Sequence, residues 1–269
     1  MGFGLIIIGD EILSGKREDK HLPKVIALLG ERGLALSWAR YVGDDRAAIT
    51  ALLREAFAGG DAVFSCGGIG ATPDDHTRQC AAAALGVELA LHPGARELIH
   101  ERMRDMAVAQ GRRFEPERPD NLHRLHMGEI PLGAELIANP FNKIPGFSCR
   151  GAGGGTVHFV PGFPVMAWPM IATLLDGPYA PLHGSDRREE RSVIVYGVME
   201  ATLTPLMEEI EAGFDGVKVF SLPSVDHPVH GRHIELGVKA RAPGAAAAFA
   251  ALRAGLEAHG ARLGPELVR

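Results

Sequence analysis

Three alternations of an apolar strand with an amphipathic helix, a glycine-rich turn closing the third strand, and a second run of strands and helices after a charged break predict an α/β protein. The expected arrangement is a three-layer αβα domain with a mostly parallel sheet, followed by a smaller α+β domain. Residues 4–8 (Gly-Leu-Ile-Ile-Ile) form a continuous run of the kind found in a strand covered on both faces. Residues 19–33 place Leu22, Val25, Ile26 and Leu29 on one stripe before Gly33, which reads as a helix with a glycine stop. A strand is expected over 34–42, then a helix over 47–58 with Ile49, Leu52, Leu53, Ala56 and Phe57 at helical spacing. The third strand is 62–66, and its helix runs to Gly86. Beyond it the pattern predicts a long helix over 93–111, a polar loop over 112–124, strand-like stretches at 134–140 and 156–161, and a helix over 164–175 despite Pro169.

Apolar periodicity gives way to Gly, Pro and charge over residues 176–191, which reads as a linker. The expected domains are therefore 1–175 and 185–269. The second should hold a strand, a helix, two strands and an alanine-rich helix, a unit of the split-βαβ kind. His227, His230 and His233 fall at the tip of its hairpin, where the spacing favours exposed loop residues over metal ligands.

The stretch from Asp61 to Thr77 carries the chemistry. Gly67, Gly68 and Gly70 allow positive φ and leave backbone amides open to an anion, while Thr72 and Pro73 suit the cap and first position of a following helix. Asp74, Asp75 and Thr77 would then add two carboxylates and a hydroxyl to its first turn. A phosphate ester bound with a divalent cation fits that set, because Mg²⁺ takes carboxylate and phosphate oxygens together. Ligands of a parallel sheet sit outside the carboxyl ends of its strands, and those ends carry Asp10-Glu11, Asp44-Asp45 and the glycine turn.

The net charge of −5 argues against a nucleic-acid-binding surface as the main function. Three widely spaced cysteines, Cys66, Cys80 and Cys149, indicate neither a disulfide framework nor a zinc cluster. With no run as long as a membrane span and no signal-like start, the expectation is a cytoplasmic protein without membrane or nucleic-acid partners. The first strand–helix turn lacks the Gly-x-Gly-x-x-Gly of a dinucleotide-dependent oxidoreductase.

The run Gly67-Gly68-Ile69-Gly70-Ala71-Thr72-Pro73-Asp74-Asp75-His76-Thr77 resembles the signature of the molybdopterin-binding domain family of molybdenum cofactor biosynthesis, the MogA/MoaB type. Residues 8–19, the Val42-Gly43-Asp44-Asp45 loop, Asn139-Pro140 with Pro145-Gly146-Phe147, and Val160-Pro161-Gly162-Phe163-Pro164 are similar to the N-terminal part of the CinA (competence/damage-inducible) proteins. Residues 185–269 resemble the KH-like module that follows it, and the C-terminal amidohydrolase part of CinA is not expected here. The resemblance implies a phosphate cradle of Gly67, Gly68, Gly70, Thr72 and Thr77, with Asp44 and Asp75 catalytic and Asp10, Asp44 and Asp75 as metal ligands for Mg²⁺ or another divalent cation. It implies a small-molecule nucleotide or pterin phosphate as ligand, molybdopterin among them, and a homo-oligomer, most simply a dimer. Departures stand at Ile69, in place of Thr or Leu, at His21, in place of Asn, and at Met166, in place of Glu. Three functions follow: a metal-dependent nucleotide pyrophosphatase acting on ADP-ribose-like substrates, a molybdopterin adenylyltransferase or molybdopterin-binding protein, and a non-catalytic ligand-binding regulator.

Overall fold

The computed structural model describes residues 1–185, 188–241 and 244–269. The chain divides into two compact units, Met1–His183 and Gly184–Arg269. Of the expected linker, residues 186 and 187 lie outside the described residues. Its first part holds a 3-10 turn at Ala180–Leu182, and Tyr179 packs into the core of the first unit. Among the described residues no helix is long and apolar enough to cross a membrane.

The first unit runs β1 (Phe3–Ile8), α1 (Asp10–Leu13), α2 (His21–Gly30), β2 (Leu36–Val42), α3 (Arg46–Ala58), β3 (Ala62–Cys66) and α4 (Thr77–Leu85). It continues through β4 (Leu89–Leu91), α5 (Pro93–Ala109), α6 (Pro119–Leu125), β5 (Glu129–Pro131), β6 (Glu135–Ile137), β7 (Gly146–Arg150), β8 (Thr156–Val160) and α7 (Pro164–Asp176). Six strands form one mixed sheet in the order β2-β1-β3-β8-β7-β6. β2, β1, β3 and β8 are parallel to one another. β7 and β6 pair antiparallel at one edge.

Alternation along β1 makes the three layers. Leu5 and Ile7 pack with α2 and α7 on one face, whereas Ile6 and Ile8 pack with α3 and α4 on the other. Every residue of β1 and β3 is buried, as expected for central strands covered on both sides. The chain leaves β1 for β2 on one side and returns to β3 on the other. The order therefore reverses between β1 and β3, and their carboxyl ends frame the crevice where such sheets bind ligands.

Four elements of this unit escape apolar periodicity. The expected loop over 112–124 contains α6, whose sequence Pro-Asp-Asn-Leu-His-Arg-Leu presents no hydrophobic stripe. Polar bonds hold it: Asp120 pairs with Arg118 at 2.5 Å and Arg124 at 2.8 Å, and buried Asn121 donates to the Glu115 carbonyl at 2.7 Å. The strands β4, β5 and β7 are short, and β4 with β5 forms a separate two-stranded ribbon. In α5, Ala95, Ile99 and Met103 are buried within the unit.

The second unit is β9 (Arg188–Tyr196), α8 (Glu200–Gly213), β10 (Lys218–His227), β11 (Gly231–Arg241), α9 (Gly244–Ala258) and β12 (Arg262–Val268). Its four strands lie in the order β10-β11-β9-β12. The β-α-β-β-α-β succession is that of a split βαβ unit. The last strand, β12, is not signalled by the sequence because Gly264 and Pro265 interrupt it.

Candidate functional site

A cavity of about 650 Å³ opens at the carboxyl ends of β1 and β3. Its floor is the glycine loop. Gly67 continues from β3 with φ +110° and donates to the Val160 carbonyl at 3.1 Å. Gly68 follows at φ +68°, where a Cβ would stand 2.1 Å from Thr77 Oγ1. A Cβ on Gly70 would stand 2.5 Å from Asp75 Oδ2. Gly68 is thus required for its backbone angle, and a side chain at Gly70 would displace the Asp75 carboxylate. The backbone N–H groups of Gly68, Ile69, Gly70 and Ala71 have no acceptor among the described residues. Consecutive free amides on a glycine turn make a concavity suited to an anion.

The loop closes differently from the expected helix start. Helix α4 begins at Thr77 and not at Pro73. The Asp75 amide returns to the Thr72 carbonyl at 3.0 Å, and Asp75 Oδ2 accepts the Thr72 N–H at 2.9 Å as well as the Thr72 hydroxyl. A carboxylate that satisfies nearby backbone in this way competes with helix formation. Asp74 and Asp75 consequently sit in the turn before α4, and Thr72 is no helix cap. Thr77 is fully buried beneath the loop: its hydroxyl donates to the Gly67 carbonyl at 3.0 Å and its amide to the Gly68 carbonyl at 3.0 Å. It shapes the cradle without lining it.

Three side chains outside the motif brace the cavity walls, two of them on the loop itself. Arg78, 3% exposed, donates to the carbonyls of Gly70 at 2.7 Å, Glu129 at 3.2 Å and His126. Burial lowers its pKa, against the raising effect of Glu129 and Asp75, and its Nε has no partner among the described residues. His123, on α6, meets the Ala71 carbonyl at 2.8 Å. His21, buried at the start of α2, donates from Nε2 to the Gly162 carbonyl at 3.0 Å and so fixes the Pro161-Gly162-Phe163 turn on the opposite wall.

Asp10 and Asp44 are joined backbone to side chain in both directions. The Asp10 amide donates to Asp44 Oδ2 at 2.9 Å and the Asp44 amide to Asp10 Oδ1 at 3.1 Å. Burial raises the Asp44 pKa, the Asp10 amide opposes this, and the charges of Asp10, Glu11 and Asp74 add to the rise. Asp44, Asp74, Asp75 and Glu11 line the cavity, with Arg17 as the one cationic side chain lining it among the described residues. Asp10 does not line it. Among the described residues no three His, Cys, Asp or Glu side chains already converge on one ion position. The donor set still suits Mg²⁺, which is held by one or two carboxylates together with substrate phosphates and water.

The far wall is built by Asn139, Asn142, Ile144, Phe163 and Met166. Buried Asn139 accepts the Phe141 amide at 3.0 Å and donates to the Ile144 carbonyl at 2.9 Å, folding residues 139–144 into a tight turn. Lys143 takes φ +67° there and is tied to Glu101 at 2.6 Å and Asp105 at 2.7 Å. The Arg17 guanidinium lies 6.0 Å from the centre of the Phe163 ring. The sequence-predicted Gly67, Gly68, Gly70, Thr72, Asp44 and Asp75 thus share one cavity, whereas Asp10 and Thr77 support it from behind. Sequence reasoning misses Arg17, Arg78 and His123. For Arg78 a signal exists, since an arginine beside buried Thr77 in an otherwise alanine-rich helix needs internal acceptors.

The family model described as "Probable molybdopterin binding domain" matches residues 4–180, about two-thirds of the chain. The chain belongs to the molybdopterin-binding domain family. Among its relatives, a "CinA-like protein" of Anaeromyxobacter dehalogenans is 35% identical over 161 residues, 60% of this chain and 37% of that protein. Another, from Geobacter metallireducens, is 31% identical over 253 residues, 91% of this chain and 55% of the relative. The chain thus spans about a third to a half of the length of these relatives. The crystal structure of a protein CinA of unknown function from Thermoplasma acidophilum covers 65% of this chain and 98% of its own, with 27% identity and a TM-score of 0.55.

Proposed function

We propose that this molybdopterin-binding-family chain binds a phosphorylated nucleotide or pterin at the glycine loop and hydrolyses a nucleotide pyrophosphate, ADP-ribose-like, in a divalent-metal-dependent reaction. The observation that carries the reading is that four loop residues whose amides have no acceptor among the described residues line one cavity together with four carboxylates. Amides alone suit a phosphate. Carboxylates beside a phosphate repel it unless a cation stands with them, and four carboxylates against one arginine leave a place for a divalent metal ion. Asp44 and Asp75 would hold Mg²⁺, which when bound neutralises phosphate charge and favours attack at phosphorus.

The chain's own residues supply the rest. The amides of residues 68–71 orient the phosphate, and buried Arg78 holds them in place. Burial raises the pKa of Asp44, whose carboxylate lines the same cavity as Asp75. The family match itself favours a second reading, a molybdopterin-binding or adenylyltransferase protein using the same cradle.

Incubation of the purified chain with ADP-ribose, ATP, FAD and molybdopterin, with and without Mg²⁺, separates the readings. Release of nucleoside monophosphate from ADP-ribose only with Mg²⁺ supports the hydrolase. Adenylyl transfer to molybdopterin supports the second reading, and binding without turnover of any substrate overturns both catalytic assignments.

A further inference from the structure

The hairpin of the second unit brings three histidines together. His227 ends β10, His230 lies in the turn, and His233 is on β11. His227 is exposed as expected of a hairpin tip, but His230 is half-buried and His233 is 7% exposed. Their ring centres are 4.9 Å (His227 to His230), 5.2 Å (His227 to His233) and 5.5 Å (His230 to His233) apart. Imidazoles bound to one tetrahedral ion at metal–nitrogen distances of about 2.0–2.1 Å place their ring centres about 5 Å apart. The three rings already stand at that spacing.

Hydrogen bonding prepares two of them. His233 Nδ1 donates to the Gly231 carbonyl at 2.9 Å, which leaves the Nε2 lone pair free. A ligating histidine is habitually fixed in this way, by its second nitrogen donating to a backbone carbonyl. His230 Nδ1 meets the Tyr196 hydroxyl at 3.1 Å. Donation from Nδ1 to that oxygen frees its Nε2 too. Tyr196 is itself steadied by the Arg262 guanidinium, 4.6 Å from the centre of its ring. His227 differs: its Nδ1 accepts the amides of Val229 at 3.2 Å and His230 at 3.1 Å. The His227 ring is stacked on that of His230 at 22°, and no three His, Cys, Asp or Glu side chains among the described residues hold an ion position, so this exposed ring must turn and change tautomer for the site to form.

We propose that His227, His230 and His233 bind one transition-metal ion of the Zn²⁺ type, at a site separate in chemistry from the carboxylate-lined cavity. Imidazole suits Zn²⁺, Cu²⁺ and Ni²⁺, whereas Mg²⁺ takes carboxylate and phosphate oxygens, so Mg²⁺ does not compete for the histidines while an excess of it competes with Zn²⁺ for the carboxylates. Three histidines leave a fourth position for water.

The test titrates the tag-free full chain with Zn²⁺ in millimolar Mg²⁺ by calorimetry, and with Co²⁺ by visible absorption. The expected result is one Zn²⁺ per chain at micromolar affinity or tighter, a tetrahedral Co²⁺ spectrum, and loss of binding as pH falls and the imidazoles protonate. His227→Gln and His230→Gln, both away from the buried core, should each weaken binding by about 10²-fold or more, while Asp44→Asn and Asp75→Asn leave it unchanged. Absence of binding in the wild-type chain overturns the proposal. So does Zn²⁺ binding that the Asp substitutions remove and the His substitutions do not.

Discussion

Asp75 holds the turn after the glycine loop with one carboxylate oxygen, Oδ2, while its side chain also lines the cavity. Its structural and chemical roles are therefore separable. Asp75→Asn keeps an oxygen that can accept from the Thr72 amide and hydroxyl, and it removes the charge. Turnover of the metal-dependent reaction should fall by ~10²-fold or more, the scale of losing a positioned acid or base, with the melting temperature nearly unchanged. Wild-type turnover in that variant would remove Asp75 from the chemistry. Gly68→Ala tests the cradle itself. The added methyl meets Thr77 Oγ1 at a position held at φ +68°, so the loop must move. A loss of about 1–3 kcal/mol in stability is expected, together with loss of nucleotide binding in a titration. An unshifted affinity would show that the loop amides do not hold the phosphate.

At the scale of elements, the glycine loop is tied to the turn after α6 and to β5 through Arg78 of α4, whose guanidinium meets carbonyls of Gly70, His126 and Glu129. Arg78→Met should leave those three carbonyls without their donor. The expected outcome is a clear drop in melting temperature and a raised KM for nucleotide, with a smaller change in kcat, because Arg78 positions the loop without touching the ligand. An unchanged KM in a folded variant would count against this. The same elements show what is legible in the sequence. Strands β1 and β3 and helices α2, α3 and α7 are set by apolar periodicity, which locates them to within a few residues. The glycine turn is equally plain, because its residues have few other uses. The start of α4 is not, since Thr72-Pro73 carries a good local cap signal and the tertiary turn closed by Asp75 overrides it. Helix α6 escapes notice for the opposite reason: ion pairs and a buried amide stabilise it, and these leave no periodic mark. Thr77 reads as a phosphate ligand because the motif places it near the loop, but spacing along a chain does not say which side of the loop a hydroxyl faces.

At the scale of the whole molecule, the two units carry separate cores, and acid should distinguish them. In the first unit His158 is buried between Ser148 Oγ at 2.7 Å and Tyr179 OH at 2.6 Å. Burial pushes its pKa down from 6.5 to about 4. Above the ordinary histidine pKa both the folded and unfolded chains hold it neutral, and it contributes nothing pH-dependent. Between about 6.5 and 4 the unfolded chain binds the proton and the folded chain does not, so stability falls as the pH is lowered through that window. Each tenfold difference in proton affinity between the two states is worth about 1.36 kcal/mol, which makes the full effect on the order of 3 kcal/mol by pH 4. Calorimetry from pH 7 to pH 4.5 should therefore show the transition of the first unit moving to lower temperature. His158→Gln removes the titrating group while retaining an amide that can bond to Ser148 or Tyr179. It should lower the melting temperature at pH 7, since the buried chain of hydrogen bonds is imperfectly replaced, and flatten the dependence below pH 6.5. The transition of the second unit should be indifferent to the substitution. If the variant and the wild-type chain lose stability with the same slope over that range, His158 is not the group that makes the first unit acid-sensitive.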